Sequence, residues 1–307
     1  NEIGLPLTIL RYHDEEVLVL EMGMNHLQEM SRLSMIARPD IVCITNVGTA
    51  HIGELGSREN ILKAKLEITD GMKEGSTLII NQDNDMLQTV ELPHLNVVRV
   101  GKGKEASIQA SHIVLEETKS SFEVEYQGKK EIIEVPVQGE HNISNALIAI
   151  AVGIELNISL EDIKKGIQEF KLTKNRMDIL EKNHKTVIDG TYNASVDSMK
   201  SSIDVLANYK KRKVAILADM LELGDYSQQL HEEVGSYVAS KGIDILVCVG
   251  KEAKYIYQKA KENMKDVYYF ESNQEVIARL DELLKEDDVI LVKGSHSMNL
   301  KEVVEKI

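Results

Sequence analysis

Four polar residues each stand where an apolar run stops: Glu21 after VLVL, Asn46 after IVCIT, Asp189 after TVI and Lys293 after VILV. Open α/β sheets bind their ligands beyond the carboxyl ends of strands, so these four positions are where chemistry would sit. Polar residues also begin loops in any such fold, and that plainer role stays open for each. Lys65 is harder to place in a loop. On a helical wheel of Ser57–Thr69, residues Ile61, Leu62, Ala64, Leu66 and Ile68 mark an apolar arc, and Lys65 falls near its middle. An unpaired buried ammonium is costly, so this lysine must snorkel, pair with an acid or do chemistry. His51, in TNVGTAH beyond Asn46, is a lone histidine and can be structural. In the company of a strand-end carboxylate and an inward lysine it also fits a metal–phosphate site.

Other chemistries are absent from the sequence. There is no G-x-x-x-x-G-K-[ST] phosphate loop, and GKGKEAS at Gly101–Ser107 has the wrong spacing and reads as a surface turn. There is no zinc-type Cys/His spacing and no G-x-S-x-G nucleophile elbow. Cys43 and Cys248 lie inside the apolar runs IVCIT and ILVCVG and read as buried, reduced thiols.

The elements that must position these residues alternate between short β-rich runs and amphipathic helices. Strands are expected at Val17–Glu21, Asp40–Asn46 and Ser76–Asn81, with a helix to about Ala37 between the first two. Ser57 reads as the N-cap of a helix running to about Asp70. From Ser107 to Val137 three consecutive strands form a small antiparallel insert, with a turn at Gln127–Lys130. His141–Gly153 is a helix that is apolar nearly all round after Asn145, hence buried. A second α/β series begins near Thr186, with strands TVID, KVAILA, DILVCVG, VYYF and DVILVKG. Helices at Ser198–Tyr209, His231–Ser240, Lys251–Glu262 and Glu275–Leu284 separate them. The fold class is therefore α/β with two domains. Residues 1–172 form a mostly parallel-sheet domain with the antiparallel insert, residues 173–307 a Rossmann-like domain, and the polar stretch Lys171–Arg176 is the linker.

At 307 residues the chain exceeds one ordinary core. Its 36 basic and 50 acidic residues leave a net charge of −14 and no basic stripe, which argues against nucleic-acid binding. No apolar run approaches membrane-spanning length, and no signal-peptide pattern opens the chain. The first residue is Asn1, which reads as a fragment, a processed product or an incomplete gene model.

Taken in order, the segments resemble the Mur ligases, and among them the branch that adds D-alanyl-D-alanine. The resemblance is carried by NEIGLPLT at Asn1–Thr8, EMGMNH at Glu21–His26, ITNVGTAHIGELGS at Ile44–Ser57 and ILKAKLEI at Ile61–Ile68. HNISNALIAIAVG, NRMDIL, VIDGTYNASVDSM, ILADMLELGD with His231 beyond it, and LVKGSHSM complete the series. The likeness implies a cytoplasmic, ATP- and Mg2+-dependent ligase of peptidoglycan synthesis, and a monomer is expected. In that reaction the carboxylate of UDP-MurNAc-tripeptide forms an acyl phosphate with ATP, and the amine of D-alanyl-D-alanine displaces phosphate. It implies Glu21, His51 and a carbamylated Lys65 at the magnesium ions, and Asn46 and Asn145 at the nucleotide. It implies Arg176, Asp189, Tyr192 and Asn193 closing over the nucleotide, and Glu222, Lys293 and Ser295 facing the dipeptide.

The sequence departs from the family pattern in places. Gly190, Ser195 and Val196 in DGTYNASV replace the acid, asparagine and proline of DDSYNANP. His296 stands where the family has arginine, and Ala218 and Gln28 where it has glycine. These departures keep a non-catalytic nucleotide- or partner-binding module as an alternative, beside a related ligase with another amino-acid acceptor. The missing phosphate loop sets the expectation that this stretch alone is inactive.

Overall fold

Short apolar runs become strands of two separate six-stranded sheets. The computed structural model describes residues 1–126, 128–171 and 177–307. The chain divides into two units, Asn1–Val114, Ser121–Val135 and His141–Glu169 in the first, and Leu115–Ser120, Pro136–Glu140 and Phe170–Ile307 in the second. The expected linker lies almost wholly in residues 172–176, outside the described residues.

In the first unit, α1 (Gly4–Ile9) and α2 (Glu29–Ala37) precede β1 (Ile41–Ile44), and α3 (Ile52–Leu55) and α4 (Arg58–Leu66) lead to β2 (Thr77–Asn81). The strands β3 (Asn96–Gly101), β4 (Ile108–Leu115), β5 (Ser120–Tyr126) and β6 (Lys129–Val135) follow. The sheet order is β1-β2-β3-β4-β5-β6, so the insert extends the first sheet. The pairs β1–β2, β2–β3 and β3–β4 are parallel. Leu78, Ile79 and Ile80 of β2 are all fully buried, as expected of a parallel strand covered on both faces. The helix α5 (Glu140–Glu155) buries Ile143, Leu147 and Ile150. A helix that periodicity had not marked, α6 (Leu160–Gln168), starts at an N-cap, Ser159, whose side chain accepts from Asp162 N. It packs Ile163 against Gly153, where a Cβ would come within 2.6 Å of the isoleucine.

The strand expected at Val17–Glu21 does not form. β1 is left as the sheet edge. The segment makes no ladder and stays irregular, and Val19 is 90% exposed.

The second unit begins with a hairpin of β7 (Asp178–Lys182) and β8 (Lys185–Gly190). Its two loop residues, Asn183 and His184, both have positive φ, as a type I′ turn requires. Then come α7 (Val196–Ala207), β9 (Lys213–Ala218), α8 (Ser227–Ala239), β10 (Ile245–Val249), α9 (Ala253–Ala260) and β11 (Val267–Phe270). The chain closes with α10 (Asn273–Ile277), α11 (Leu280–Leu283), β12 (Val289–Lys293) and α12 (Lys301–Lys306). The order β11-β10-β9-β12-β8-β7 is parallel except at the β7 edge. Val214, Ile216, Val247, Ile290, Val292, Val303 and Leu300 build one core against it. Among the described residues no helix is long and apolar enough to cross a membrane.

Both thiols are free. Burial raises the Cys43 pKa to about 11 and lifts that of the fully buried Cys248 as well, so neither is a nucleophile at neutral pH.

Candidate active site

In the first unit the chain leaves β1 into the loop 45–51. Asn46 Oδ1 accepts from Asn84 Nδ2 at 2.7 Å. The same amide reaches Val47 O at 3.3 Å, and the Arg58 guanidinium donates to Val47 O at 2.8 Å. Arg58 is in turn held by both oxygens of Asp85, at 2.7 and 2.6 Å. A fork of this kind fixes a backbone carbonyl in place. The loop ends on His51, which has φ 63, precedes α3 and has a buried Nδ1. Arg58, Asn84 and Asp85 were not singled out from the sequence. The only hint was the polar run NQDND after the apolar strand β2.

Ser57 caps α4 as anticipated, its side chain accepting from Asn60 N at 3.2 Å. Ile61 and Ala64 are buried, and Lys65 beside them is half-buried. Burial lowers the Lys65 pKa from 10.5, and among the described residues no carboxylate offsets it. Of the three roles open to this lysine, pairing with an acid is therefore not the one taken.

Glu21 is exposed and follows irregular chain rather than a strand. The loop after it is tied down locally. Glu29 accepts from Asn25 N at 2.8 Å and from His26 N at 3.3 Å, and Gln28 N donates to Glu67 at 2.7 Å. Gln28 has φ 72, which accounts for the glycine expected at this position. Asn145 lies on the exposed side of α5. Among the described residues no three His, Cys, Asp or Glu side chains converge as a metal site. Glu21 and His51 supply only two such groups, so the expected magnesium set depends on the chemical form of Lys65.

In the second unit β8, β12 and β9 are neighbours, and Lys293 is in register with Gly190 on one side and Leu217 on the other. Their carboxyl ends gather Asp189, Lys293 and the loop after Ala218. Asp189 is 3% exposed, and its Oδ1 accepts from Thr191 N at 3.0 Å and Thr191 Oγ1 at 2.7 Å. Lys293 is 5% exposed, and its ammonium donates to Asn193 O at 2.8 Å. Asn193 Oδ1 accepts from Ala194 N, and the exposed Tyr192 ring lies 6.3 Å from that of His296. Ser295 is buried, with Oγ accepting from Leu221 N at 2.9 Å. Glu222 is exposed and has φ 64. Arg176 lies outside the described residues.

Some of the departures have local explanations. Ser195 is the N-cap of α7 in a capping box with Ser198, and Val196 is the first helical residue. Serine and asparagine are both good N-caps, and proline is favoured but not needed at the first helical position. Ala218 is accommodated because residue 294 is glycine: a Cβ there would sit 2.7 Å from Ala218 Cβ. A Cβ at Gly190 would meet only ordinary contacts with Val292 O and the Lys293 stem, so space does not explain that glycine.

Residues 1–153 match the Mur ligase middle domain, and residues 175–296 match the Mur ligase glutamate ligase domain. The UDP-N-acetylmuramoyl-tripeptide--D-alanyl-D-alanine ligase of Bacillus subtilis (strain 168) is 36% identical over 314 residues, covering 100% of this chain and 68% of the relative. The ligase of the same name from Escherichia coli (strain K12) is 32% identical, covering 99% and 68%. A crystal structure of MurF from Acinetobacter baumannii matches with a TM-score of 0.93 at 29% identity, covering 99% of this chain and 68% of that one. The MurF ligase from Thermotoga maritima in complex with ADP matches with a TM-score of 0.88 at 27% identity, covering 99% and 70%.

Proposed function

The chain belongs to the Mur ligase family, and from that premise we propose that the protein carrying it performs ATP-dependent ligation of D-alanyl-D-alanine to UDP-MurNAc-tripeptide. The observation that carries this reading is the end-to-end likeness to ligases of that name. The half-buried amine of Lys65 supports the chemistry.

The tripeptide carboxylate attacks the γ-phosphorus of ATP. An O–P bond forms, the bond to the β-phosphate oxygen breaks, and ADP leaves. The dipeptide amine then attacks the acyl carbon. A C–N bond forms, the C–O bond to phosphate breaks, and the amine gives up a proton. The difficulty is the meeting of two anions, and magnesium, when bound, would supply the neutralising charge.

The donor chemistry fits that ion on one condition. Glu21 and His51 with a lysine ammonium would be a poor set for a hard cation. A lowered pKa favours the neutral amine, which can add CO2, forming an N–C bond and releasing a proton. The carbamate is an oxygen donor, and Glu21, His51 and Lys65 together then suit magnesium. In this reading Asn46 and Asn145 contact the nucleotide, and Asp189, Tyr192, Asn193 and Arg176 are assigned to it as well. Glu222, Lys293 and Ser295 form the acceptor side. The protein acts as a cytoplasmic monomer.

The test is a ligation assay of the protein carrying this chain, with UDP-MurNAc-tripeptide, ATP and Mg2+, across a panel of amine acceptors. Preference for D-alanyl-D-alanine is the expected result. Preference for another amino acid would make it a related ligase. Nucleotide binding without ligation of any acceptor would make it a binding module.

A further inference from the structure

His231 lies on α8, is fully buried, and has no part in the steps above. Met220 N–H meets its Nε2 at 3.0 Å. A backbone N–H can only donate, so Nε2 carries no proton. The proton is on Nδ1, which donates to Ser227 O at 2.7 Å. The ring is thus the neutral Nδ1–H form, fixed at both nitrogens. Burial lowers its pKa, against the Ser227 carbonyl and the pull of Asp219 and Glu252.

The loop it touches is held from a second side. Leu221 N donates to Ser295 Oγ at 2.9 Å, and Ser295 N donates to Asp219 O at 3.0 Å. Asp219 Oδ1 accepts from Glu252 N and Ala253 N at 3.0 and 2.7 Å, and Ser227 Oγ donates to Glu252 at 2.6 Å. Two consecutive amides are therefore gripped by side chains from different elements. The next residue, Glu222, has φ 64. A non-glycine residue persists in that conformation only where its surroundings over-determine it.

We infer that His231 is a positioning residue for the incoming dipeptide: by accepting from Met220 N–H it sets how the 219–224 loop presents Glu222. The inference rests on the reading of that loop as the acceptor side. It predicts an effect on the dipeptide and not on ATP.

The test compares the protein carrying this chain with its His231→Leu, His231→Gln and His231→Asn variants. His231→Leu should raise KM for D-alanyl-D-alanine by roughly tenfold or more while KM for ATP stays within about twofold. Glutamine keeps an acceptor for the amide, so His231→Gln should recover most of the loss. Hydrogen exchange at the Met220 amide should be slow in wild type and His231→Gln and fast in His231→Leu. A folded His231→Leu with wild-type dipeptide KM overturns the inference, as does a parallel rise in KM for ATP or no rescue by glutamine. Should His231→Leu fail to fold, His231→Asn decides, its shorter amide falling short of Met220 N: a dipeptide-selective rise in KM supports the inference, and an unchanged value overturns it. A wild type that ligates no dipeptide would instead overturn the proposed function, and this inference with it.

Discussion

Lys65 in the first unit and Lys293 in the second both occupy places where an ammonium is costly, and they are handled differently. Lys293 is 5% exposed, and its charge is satisfied by the Asn193 carbonyl at 2.8 Å. Lys65 is half-buried, and burial lowers its pKa with no carboxylate opposing it among the described residues. A satisfied ammonium stays charged and braces backbone. An unsatisfied one is poised to lose its proton and react. The loop ends of β8, β9 and β12 are closed hydrogen-bond networks, and in the first unit the loop after β1 is likewise held by Asn84 and Arg58.

The largest effect that would break this comparison is at Lys65. Lys65→Ala should lower ligation by on the order of 10²–10³-fold or more, and Lys65→Arg should not restore it. Full activity in Lys65→Ala, measured as ADP release with dipeptide, would make it an ordinary snorkelling lysine. The fold should respond in the opposite direction. The folded pKa of Lys65 lies below 10.5, so the unfolded chain holds that proton more tightly. The stability deficit is complete below the folded pKa and shrinks as pH rises towards about 10.5. Lys65→Met should therefore raise the urea midpoint at neutral pH, and its advantage over wild type should narrow at alkaline pH.

Lys293→Met tests the other lysine. It leaves the Asn193 carbonyl without its ammonium donor, and the fold should lose about 1–3 kcal/mol in urea titration. An unchanged midpoint would show that Lys293 does not brace the β8 loop. Ser195→Ala removes the α7 cap and should cost about 1 kcal/mol by the same measurement, which checks that the departure at this position is conservative. The smallest effect is at Gln28. Glycine there relieves a φ of 72, and Gln28→Gly should stabilise by up to about 1 kcal/mol if the strain argument holds. A loss of stability would show that the side chain contributes more than the backbone strain costs.

Much of this architecture was legible. Apolar runs such as TLIIN, KVAILA, ILVCV and VILVK are strands because they are covered on both faces, and Ser57 caps where it should. The failures have physical causes. VLVLE has the composition of a strand, but a strand also needs a partner, and pairing is not a local property. The β7–β8 hairpin was missed because its turn is Asn183–His184 rather than the usual Asn-Gly. At the site, Lys65 was found because a charge on an apolar arc breaks a periodic rule. Arg58, Asn84 and Asp85 were not, since polar residues in polar stretches break none. Nor could the sequence show that Ser295 and His231 grip adjacent amides from residues 74 and 11 positions away.

The most direct test of Lys65 is to supply isotopically labelled bicarbonate and look for the carbamate carbon by NMR. The signal should appear in the wild type and in Lys293→Met and be lost in Lys65→Ala. A wild type without it, or a signal that survives Lys65→Ala, would contradict the account.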